Sequence, residues 1–124
     1  MESTDGIQAD HSIFSFPSHY RLNEVFQFIE RHYQQSITLC QVACAVGYSP
    51  AYLTDWVRRE TGKTVNNWII ERRLVEACRL LLKTEQTVNQ IAESVGYQNP
   101  GYFFRQFRQR YGMSPQVWRK LHRL

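Results

Sequence analysis

Apolar residues recur at the spacing of an α-helix through most of the chain. The first such group follows the order i, i+3, i+4, i+7 and i+11 and consists of Leu22, Val25, Phe26, Ile29 and Tyr33. These positions share one face of a helix. No segment alternates apolar and polar residues between turn signals, so we predict an all-α fold over residues 18–124. Residues 1–17 show no period and contain Ser, Asp and Gly, which indicates a flexible tail or a linker stub.

The most informative feature is an internal repeat. The segment TLCQVACAVGY at 38–48 recurs as TVNQIAESVGY at 87–97, a shift of 49 positions. After one inserted residue the shift becomes 50, and the recurring pairs are Pro50 and Pro100, Tyr52 and Tyr102, Arg58 and Arg108, Gly62 and Gly112, Trp68 and Trp118. Chance does not match this many positions in order, so the chain contains two copies of one structural unit.

Each copy has the signals that begin and end a short helix. Thr38 and Thr87 are predicted to cap these helices through their hydroxyls, and a glutamine three positions later is placed to complete each capping box. Each short helix is expected to end at a glycine, Gly47 or Gly96, where a left-handed backbone is tolerated.

A second helix begins directly after each glycine turn. Ser49 and Asn99 are side-chain caps, and each is followed by a proline at the first helical position, where its missing N–H costs nothing. Helix, tight turn and second helix together form a helix-turn-helix motif. We place the two motifs at about 38–61 and about 87–111.

A long helix is predicted between the two copies, at about 65–82. Thr64 caps it, its apolar residues keep a helical period, and neither glycine nor proline interrupts it before Leu82. About 18 residues make a rod of roughly 27 Å. Such a rod can hold the two motifs about one turn of DNA apart, the roughly 34–36 Å that paired helix-turn-helix units require.

Charge is unevenly distributed along the 124 residues. Residues 1–30 hold five acids and one base, a net charge of −4, whereas residues 31–124 hold fourteen bases and six acids, a net charge of +8. A basic body favours a polyanionic partner, either nucleic acid or an anionic membrane surface. A solvated surface that is merely basic is the alternative.

The repeat resembles the DNA-binding domain of AraC/XylS-type transcription regulators. The resemblance runs from about Tyr20 to the C-terminus, and its most specific stretch is IA-x2-VGY-x4-YF-x-R-x-F-x4-G-x-SP-x2-WR over residues 91–119. It implies seven helices in two homeodomain-like subdomains joined by a long linker helix. It also implies that a monomer docks two recognition helices in successive major-groove segments on one face of the duplex. Members of the family usually activate transcription by contacting RNA polymerase.

The second helix of each copy is the candidate recognition helix. The N-terminal residues of such a helix reach base edges, and later residues reach the DNA backbone. The predicted base-facing residues, opposite the apolar side, are Ala51, Thr54, Asp55, Gly101, Phe104 and Arg105. The predicted phosphate-facing residues are Thr38, Ser49, Arg58, Arg59, Thr87, Asn99 and Arg108.

Two assignments in the second copy have alternatives. Arg105 stands where the family has an arginine, and it either contacts guanine O6 and N7 in a bidentate manner or pairs with a carboxylate. Phe104 either packs on a thymine methyl group or fills a groove between helices.

The first copy departs from the family at two positions. Many relatives have a basic residue in place of Asp55 and a larger side chain in place of Ala51. Asp55 either accepts a hydrogen bond from cytosine N4 or, as we favour, pairs internally with Arg58 or Arg59. The first copy is therefore expected to bind DNA more weakly than the second.

Several other residues are given structural interpretations. Arg72, Arg73 and Arg79 on the long helix are interpreted as a solvated face. Tyr48 and Tyr97, which follow the turn glycines, are expected to close the turns and to leave their hydroxyls free. The residues predicted to be core are Trp56, Trp68, Trp118, Tyr52, Tyr102 and the phenylalanines.

Cys40 and Cys44 stand four positions apart near the beginning of a helix. A zinc site would need about four ligands, and neither histidine nor a third cysteine is close in sequence. Both cysteines are therefore interpreted as small core residues, and no metal or cofactor is predicted. The sequence contains no glycine-rich phosphate loop, no paired carboxylates and no Cys/His dyad, which argues against an enzyme.

The sequence thus predicts a sequence-specific DNA-binding transcription regulator with double-stranded DNA as its partner, and the resemblance implies RNA polymerase as a second partner. The alternative is a basic helical module that binds an acidic protein. The resemblance also implies a sensing or dimerisation domain outside this chain, to which residues 1–17 would be the linker, although family members of about this length exist. The chain has no apolar run of roughly 18 residues, so we expect no membrane partner. Its odd number of cysteines favours a reduced protein, which we expect in the bacterial cytoplasm, on the nucleoid.

Overall fold

The structure, a computed structural model, describes residues 14–16 and 20–123. A short 3-10 helix (Tyr20–Leu22) is followed by α1 (Asn23–His32), α2 (Leu39–Val46), α3 (Pro50–Thr61), α4 (Val65–Lys83), α5 (Val88–Ser94), α6 (Pro100–Tyr111) and α7 (Pro115–His122). These described residues contain no strand, so the all-α, seven-helix prediction is confirmed. Helices α2 and α3 form the first helix-turn-helix unit, and α5 and α6 form the second. None of the helices in the described ranges combines the length and the apolar character needed to cross a bilayer.

The helices pack around two hydrophobic cores that share no residue. The first core joins α1, α2 and α3 to the beginning of α4 and includes Trp56, while the second joins the remainder of α4 to α5, α6 and α7 and includes Phe107 and Trp118. The change from one core to the other falls between Ile69 and Leu74. Helix α4, 19 residues long, therefore contributes its first part to one subdomain and its remainder to the other.

Side-chain caps begin the short helices as the sequence predicts. The hydroxyl oxygen of Thr38 accepts from the backbone N–H of Gln41 at 3.2 Å, and Gln41 Oε1 accepts from the N–H of Thr38 at 2.8 Å. Thr87 and Gln90 make the same reciprocal pair at 3.1 and 2.9 Å. These bonds satisfy N–H groups that a helix otherwise leaves unpaired, and so fix where each unit begins.

The two glycine turns differ in their surroundings. Gly47 follows α2 with φ 83°, and a Cβ added there would meet no atom within 4 Å. In the second unit α5 ends at Ser94, two residues before Gly96, where the sequence predicted its end. Gly96 has φ 110°. A Cβ at Gly96 would lie 2.5 Å from the carbonyl oxygen of Tyr33. The second turn therefore needs glycine for its backbone angle and for its close approach to α1.

Part of the segment predicted as a tail packs on the first core. The Phe16 ring stacks on Phe26 with centroids 4.9 Å apart and lies 6.0 Å from Trp68. Phe14 lies edge-on to Phe16 at 4.7 Å. Such aromatic pairs contribute about 0.5–1.5 kcal/mol beyond their burial, so residues 14–16 extend the first subdomain. The remainder of the predicted tail lies outside the described residues.

The predicted aromatic core is confirmed for the tryptophans and wrong for two tyrosines. Trp56, Trp68 and Trp118 are buried, and every phenylalanine is buried or half-buried. Tyr52 and Tyr102 instead keep 47% and 44% of their surface exposed. Both tyrosines are turned away from the core because the next residue of each helix, Leu53 or Phe103, already occupies the buried position.

Candidate DNA interface

Helices α3 and α6 are set in place by the same devices. The Ser49 hydroxyl oxygen accepts from the N–H of Tyr52 at 3.1 Å and begins α3. Asn99 Oδ1 accepts from the N–H groups of Gly101 and Tyr102 at 2.8 and 3.3 Å and begins α6. The buried residues that fix the rotation of the two helices are Leu53, Trp56, Val57, Phe103 and Phe107. Each helix therefore presents an outward stripe that begins at its capped N-terminus.

In α3, the predicted base-facing residues include an ion-paired carboxylate. Ala51 and Asp55 are exposed, and Thr54 is half-buried. Asp55 Oδ2 accepts from Arg59 Nη1 at 2.8 Å, one turn further along the helix. The internal pair that the sequence favoured is formed, and Arg59 is the partner. A carboxylate beside this predicted phosphate-facing cation lowers the positive potential that α3 offers to DNA.

In α6, the three predicted base-facing residues are Gly101, Phe104 and Arg105. Gly101 and Arg105 are exposed, whereas Phe104 is half-buried. The Phe104 ring packs edge-on against Phe103, with centroids 6.1 Å apart. Phe104 therefore packs partly against the second core, and the rest of its ring is exposed.

Tyr102, which the sequence predicted to be core, also belongs to this surface. The Cζ atom of Arg105 lies 5.6 Å from the centroid of the exposed Tyr102 ring, within the range of a cation–π contact. Residues three apart on a helix are neighbours, so the spacing itself was the available signal. The contact holds the guanidinium at the N-terminal half of α6, where a recognition helix meets base edges.

The capping residues predicted to face phosphate are all exposed; they are Thr38, Ser49, Thr87 and Asn99. Each uses a side-chain oxygen to accept from a backbone N–H of its helix. A hydroxyl that accepts still has a hydrogen to donate, and the NH2 group of Asn99 is separate from its accepting oxygen. Capping is therefore compatible with phosphate contact at these helix N-termini, where partial positive charge favours an anion.

The arginines divide into exposed cations and internally bound ones. Within the described part of the chain, the exposed arginines on α3 and α6 that form no ion pair are Arg58, Arg105 and Arg108. Arg119 instead donates to the carbonyl oxygens of Leu81 and Thr84 at 2.9 and 3.1 Å. Arg123 donates to Thr84 as well, at 2.9 Å. The +8 charge of residues 31–124 therefore overstates the number of cations available to phosphate.

Two arginines of α4 are structural, so their interpretation as a solvated face is wrong. Arg72 donates to both carboxylate oxygens of Glu30 in α1, at 2.8 and 3.1 Å, and Arg73 donates to two backbone carbonyls just after α1. Arg79 is 46% exposed and pairs with Glu76 on its own helix, as a solvated residue would. The acceptors of Arg72 and Arg73 lie about forty residues earlier in the chain, beyond the reach of helix periodicity.

The exposed cysteines contradict their interpretation as core. Cys40 and Cys44 are both exposed, because Val42 and Ala43 occupy the buried face of α2. Cys78 is buried in α4, and burial raises the pKa of its thiol to about 12. Over residues 14–16 and 20–123, His, Cys, Asp and Glu side chains form no group of three or more that could hold a metal ion.

The two tyrosines after the glycine turns have different environments. Tyr48 is exposed and its ring lies 5.3 Å from the rings of both Tyr52 and Trp56. Tyr97 is buried, its hydroxyl donates to Gln106 Oε1, and burial raises its pKa. The expected free hydroxyl is therefore wrong for Tyr97, which belongs to the second core.

Comparison with known sequences finds the same motif in transcription regulators. A family described as "Helix-turn-helix domain" matches residues 42–121. The uncharacterized HTH-type transcriptional regulator YobQ of Bacillus subtilis is 35% identical over 92 residues, which cover 74% of this chain and 38% of YobQ. The transcriptional activator NphR of Rhodococcus is 34% identical over 102 residues, which cover 82% of this chain and 30% of NphR. The chain thus spans about a third of the length of these curated relatives.

Comparison with solved structures finds the same arrangement of helices. The C-terminal domain of AraT, a response regulator from Geobacillus stearothermophilus, superposes with a TM-score of 0.80 at 33% identity, covering 83% of this chain and 86% of that one. The DNA-binding domain of AdpA, a global transcriptional factor solved in complex with a target DNA, superposes with a TM-score of 0.77 at 26% identity. This match covers 82% of the present chain and 91% of that domain.

Proposed function

The chain belongs to the family of AraC-type helix-turn-helix domains, which are DNA-binding domains of transcription regulators and not enzymes, and on that premise we propose how it binds DNA. Helices α3 and α6 enter successive segments of the major groove on one face of a duplex. The observation that carries this proposal is the matched pair of capped, outward-facing helices, one in each of the two units that α4 joins.

The two helices contribute unequally to base recognition. In α6, Arg105 is exposed, in no ion pair among the described residues, and lies against Tyr102, which suits bidentate contact with guanine O6 and N7. In α3, Ala51 is small and Asp55 is engaged with Arg59. We therefore assign most base discrimination to α6, with Gly101 allowing close approach and Phe104 contacting a thymine methyl group.

Phosphate contacts come from two groups of residues. Arg58, Arg59 and Arg108 contribute charge, and the caps of α2, α3, α5 and α6 contribute neutral donors at helix N-termini. Their role is to position the protein, since contacts to phosphate carry no sequence information directly. The three arginines also supply the salt-dependent part of the affinity.

The proposal for the remaining partners is supported by the family and by the length of its members. The chain acts as an activator that contacts RNA polymerase in the bacterial cytoplasm, on the nucleoid. Because the relatives are about three times longer than the matched region, a sensing or dimerisation domain accompanies this domain in a longer regulator.

The test is a titration of a fluorescent DNA duplex with the 124-residue protein at several salt concentrations. The three arginines alone predict that log K falls against log salt with a slope of about −2.7, and each further Lys or Arg that neutralises a phosphate steepens it by about 0.9. Removal of one contact by Arg108→Ala should reduce the slope by about one. A nearly flat response, or equal competition by polyglutamate at matched charge, would instead favour a basic module for acidic proteins.

A further inference from the structure

The two subdomains meet at a second place besides the axis of α4. Arg73 Nε donates to the carbonyl oxygen of Tyr33 at 2.8 Å, and its Nη2 donates to the carbonyl oxygen of Gln35 at 2.8 Å. Both carbonyls belong to the segment directly after α1, in the first subdomain. One planar guanidinium thus spans two acceptors, a geometry that a lysine ammonium does not reproduce.

The same guanidinium also touches the second helix-turn-helix unit. The Cζ atom of Arg73 lies 5.4 Å from the centroid of the Tyr97 ring. Tyr97 belongs to the second core, and its hydroxyl donates to Gln106 in α6. A continuous series of contacts therefore runs from the end of α1 through Arg73 and Tyr97 to the second recognition helix.

Gly96 brings the backbones of the two subdomains together at this point. A Cβ there would lie 2.5 Å from Tyr33 O, 3.0 Å from Arg73 Nε and 3.2 Å from the carbonyl carbon of Gln34. Two of these atoms are backbone, which cannot swing aside as the end of a flexible side chain can. The equivalent Gly47 has open space around it, so the close approach is particular to the second copy.

Another link between the subdomains is weaker. Glu71 in α4 accepts from Lys63 Nζ at 2.8 Å and from Arg110 Nε at 3.3 Å. The Lys63 and Arg110 side chains are 44% and 52% exposed, while Glu71 is 17% exposed, so solvent screens the cationic side of each pair and reduces its contribution. An open cleft of about 430 Å³ lies beside them. The contacts of Arg73 and Gly96 are thus the firmer connection away from the α4 axis.

We propose that Arg73 and Gly96 are positioning residues that fix the angle between α3 and α6, and with it the half-site spacing that the protein accepts. The inference rests on the proposed function. Helix α4 alone sets the distance between the units, but a contact away from its axis is needed to resist bending of α4 and rotation of the second unit about it. A fixed angle lets both helices enter their grooves together only at one spacing.

Two substitutions break this contact, and each has a matched control. Gly96→Ala combines a left-handed backbone angle with the clash against Tyr33, whereas Gly47→Ala carries the angle without the clash. Arg73→Lys keeps the charge but cannot hold both carbonyls, whereas Arg79→Lys alters an arginine bonded to Glu76 on its own helix. Circular dichroism selects the folded variants, and Arg73→Lys keeps the test available if Gly96→Ala does not fold.

The first measurement uses the free protein. Backbone residual dipolar couplings of the two subdomains should fit one alignment tensor in the wild type and in both controls. In Arg73→Lys and Gly96→Ala the two subdomains should need different tensors, because they reorient relative to one another. A single shared tensor in both folded variants would overturn the proposal, and it would do so whether or not the protein binds DNA.

The second measurement uses a duplex that carries the two half-sites recovered by selection, and versions with one or five added base pairs between them. Five added pairs turn the second half-site to the opposite face, so the wild type should lose the roughly 100-fold or greater gain of two-site binding. One added pair should weaken the wild type about tenfold and Arg73→Lys less than threefold, while affinity for an isolated half-site stays equal. An unchanged spacing penalty in the variant would contradict the proposal, and absence of specific binding by the wild type would contradict the proposed function instead.

Discussion

The guanidinium of Arg105 lies against the exposed ring of Tyr102, with 5.6 Å between Cζ and the ring centroid. Both residues are on the outward side of α6, within its first half. A side chain held in this way loses less conformational freedom when it binds than one that moves freely in solvent. If Arg105 contacts a base as proposed, we expect Tyr102 to act on recognition through Arg105.

Substitution of Tyr102 tests this relationship. Tyr102→Leu removes the aromatic face, and a cation–π contact at an exposed site is worth about 0.5–1 kcal/mol, so specific binding should weaken roughly two- to fivefold. Tyr102→Phe keeps the ring and should bind nearly as the wild type does. Fluorescence anisotropy with the selected duplex measures both variants. Equal losses in the two would show that the hydroxyl, not the ring, is what matters.

The proposed unequal contribution of the two helices predicts different effects of alanine substitutions in α6 and α3. Arg105→Ala should cost about 1–3 kcal/mol and relax preference at one base pair. Thr54→Ala in α3 should change base preference less, since its side chain is half-buried and its neighbour Asp55 is ion-paired. Competition among duplexes with single-base changes measures both. A larger loss of preference in Thr54→Ala would reverse the assignment of the two helices.

The Asp55–Arg59 pair predicts that a neutral residue at position 55 strengthens binding to any duplex. Asp55→Asn keeps an acceptor for Arg59 but removes a negative charge beside it, so the slope of log K against log salt should steepen by about 0.9. Glu24→Gln removes the same charge from α1, outside both helix-turn-helix units, and should alter the slope less. A decrease in affinity for one base pair only would mean that Asp55 contacts a base directly.

The thiols provide a check on packing that does not involve DNA. Cys40 and Cys44 are exposed, whereas burial raises the pKa of the Cys78 thiol to about 12. Since the thiolate is the reactive form, a disulfide reagent at neutral pH should modify two thiols quickly and the third only after denaturation. Cys44→Ser should leave one fast thiol. Rapid modification of all three in the folded protein would contradict the packing of α4 in the second core.

Local signals in the sequence were sufficient to predict the helices. Capping boxes, prolines at first helical positions and glycine turns act within a few residues, so they can be recognised without knowledge of the fold. The same periodicity would have placed Cys40 and Cys44 outward, because Val42 and Ala43 already supply the buried face of their short helix.

Contacts between distant segments were not predictable in this way. The carbonyl acceptors of Arg73 lie at Tyr33 and Gln35, about forty positions earlier, and backbone acceptors leave no mark on sequence composition. The crowding at Gly96 is likewise invisible, since the glycine of the first copy has the same sequence context and open space. The helices thus followed from the sequence, but the angle between the two units did not.

The central claim is that two recognition helices bind one face of DNA together. Selection of bound duplexes from a random pool by the 124-residue protein tests this claim most directly. The account predicts enrichment of two half-sites whose centres are about 10–10.5 base pairs apart, with the stronger base preference in the half-site bound by α6. Arg105→Ala should weaken the preference in that half-site alone. Enrichment of a single half-site, or of no sequence at all, would contradict the account.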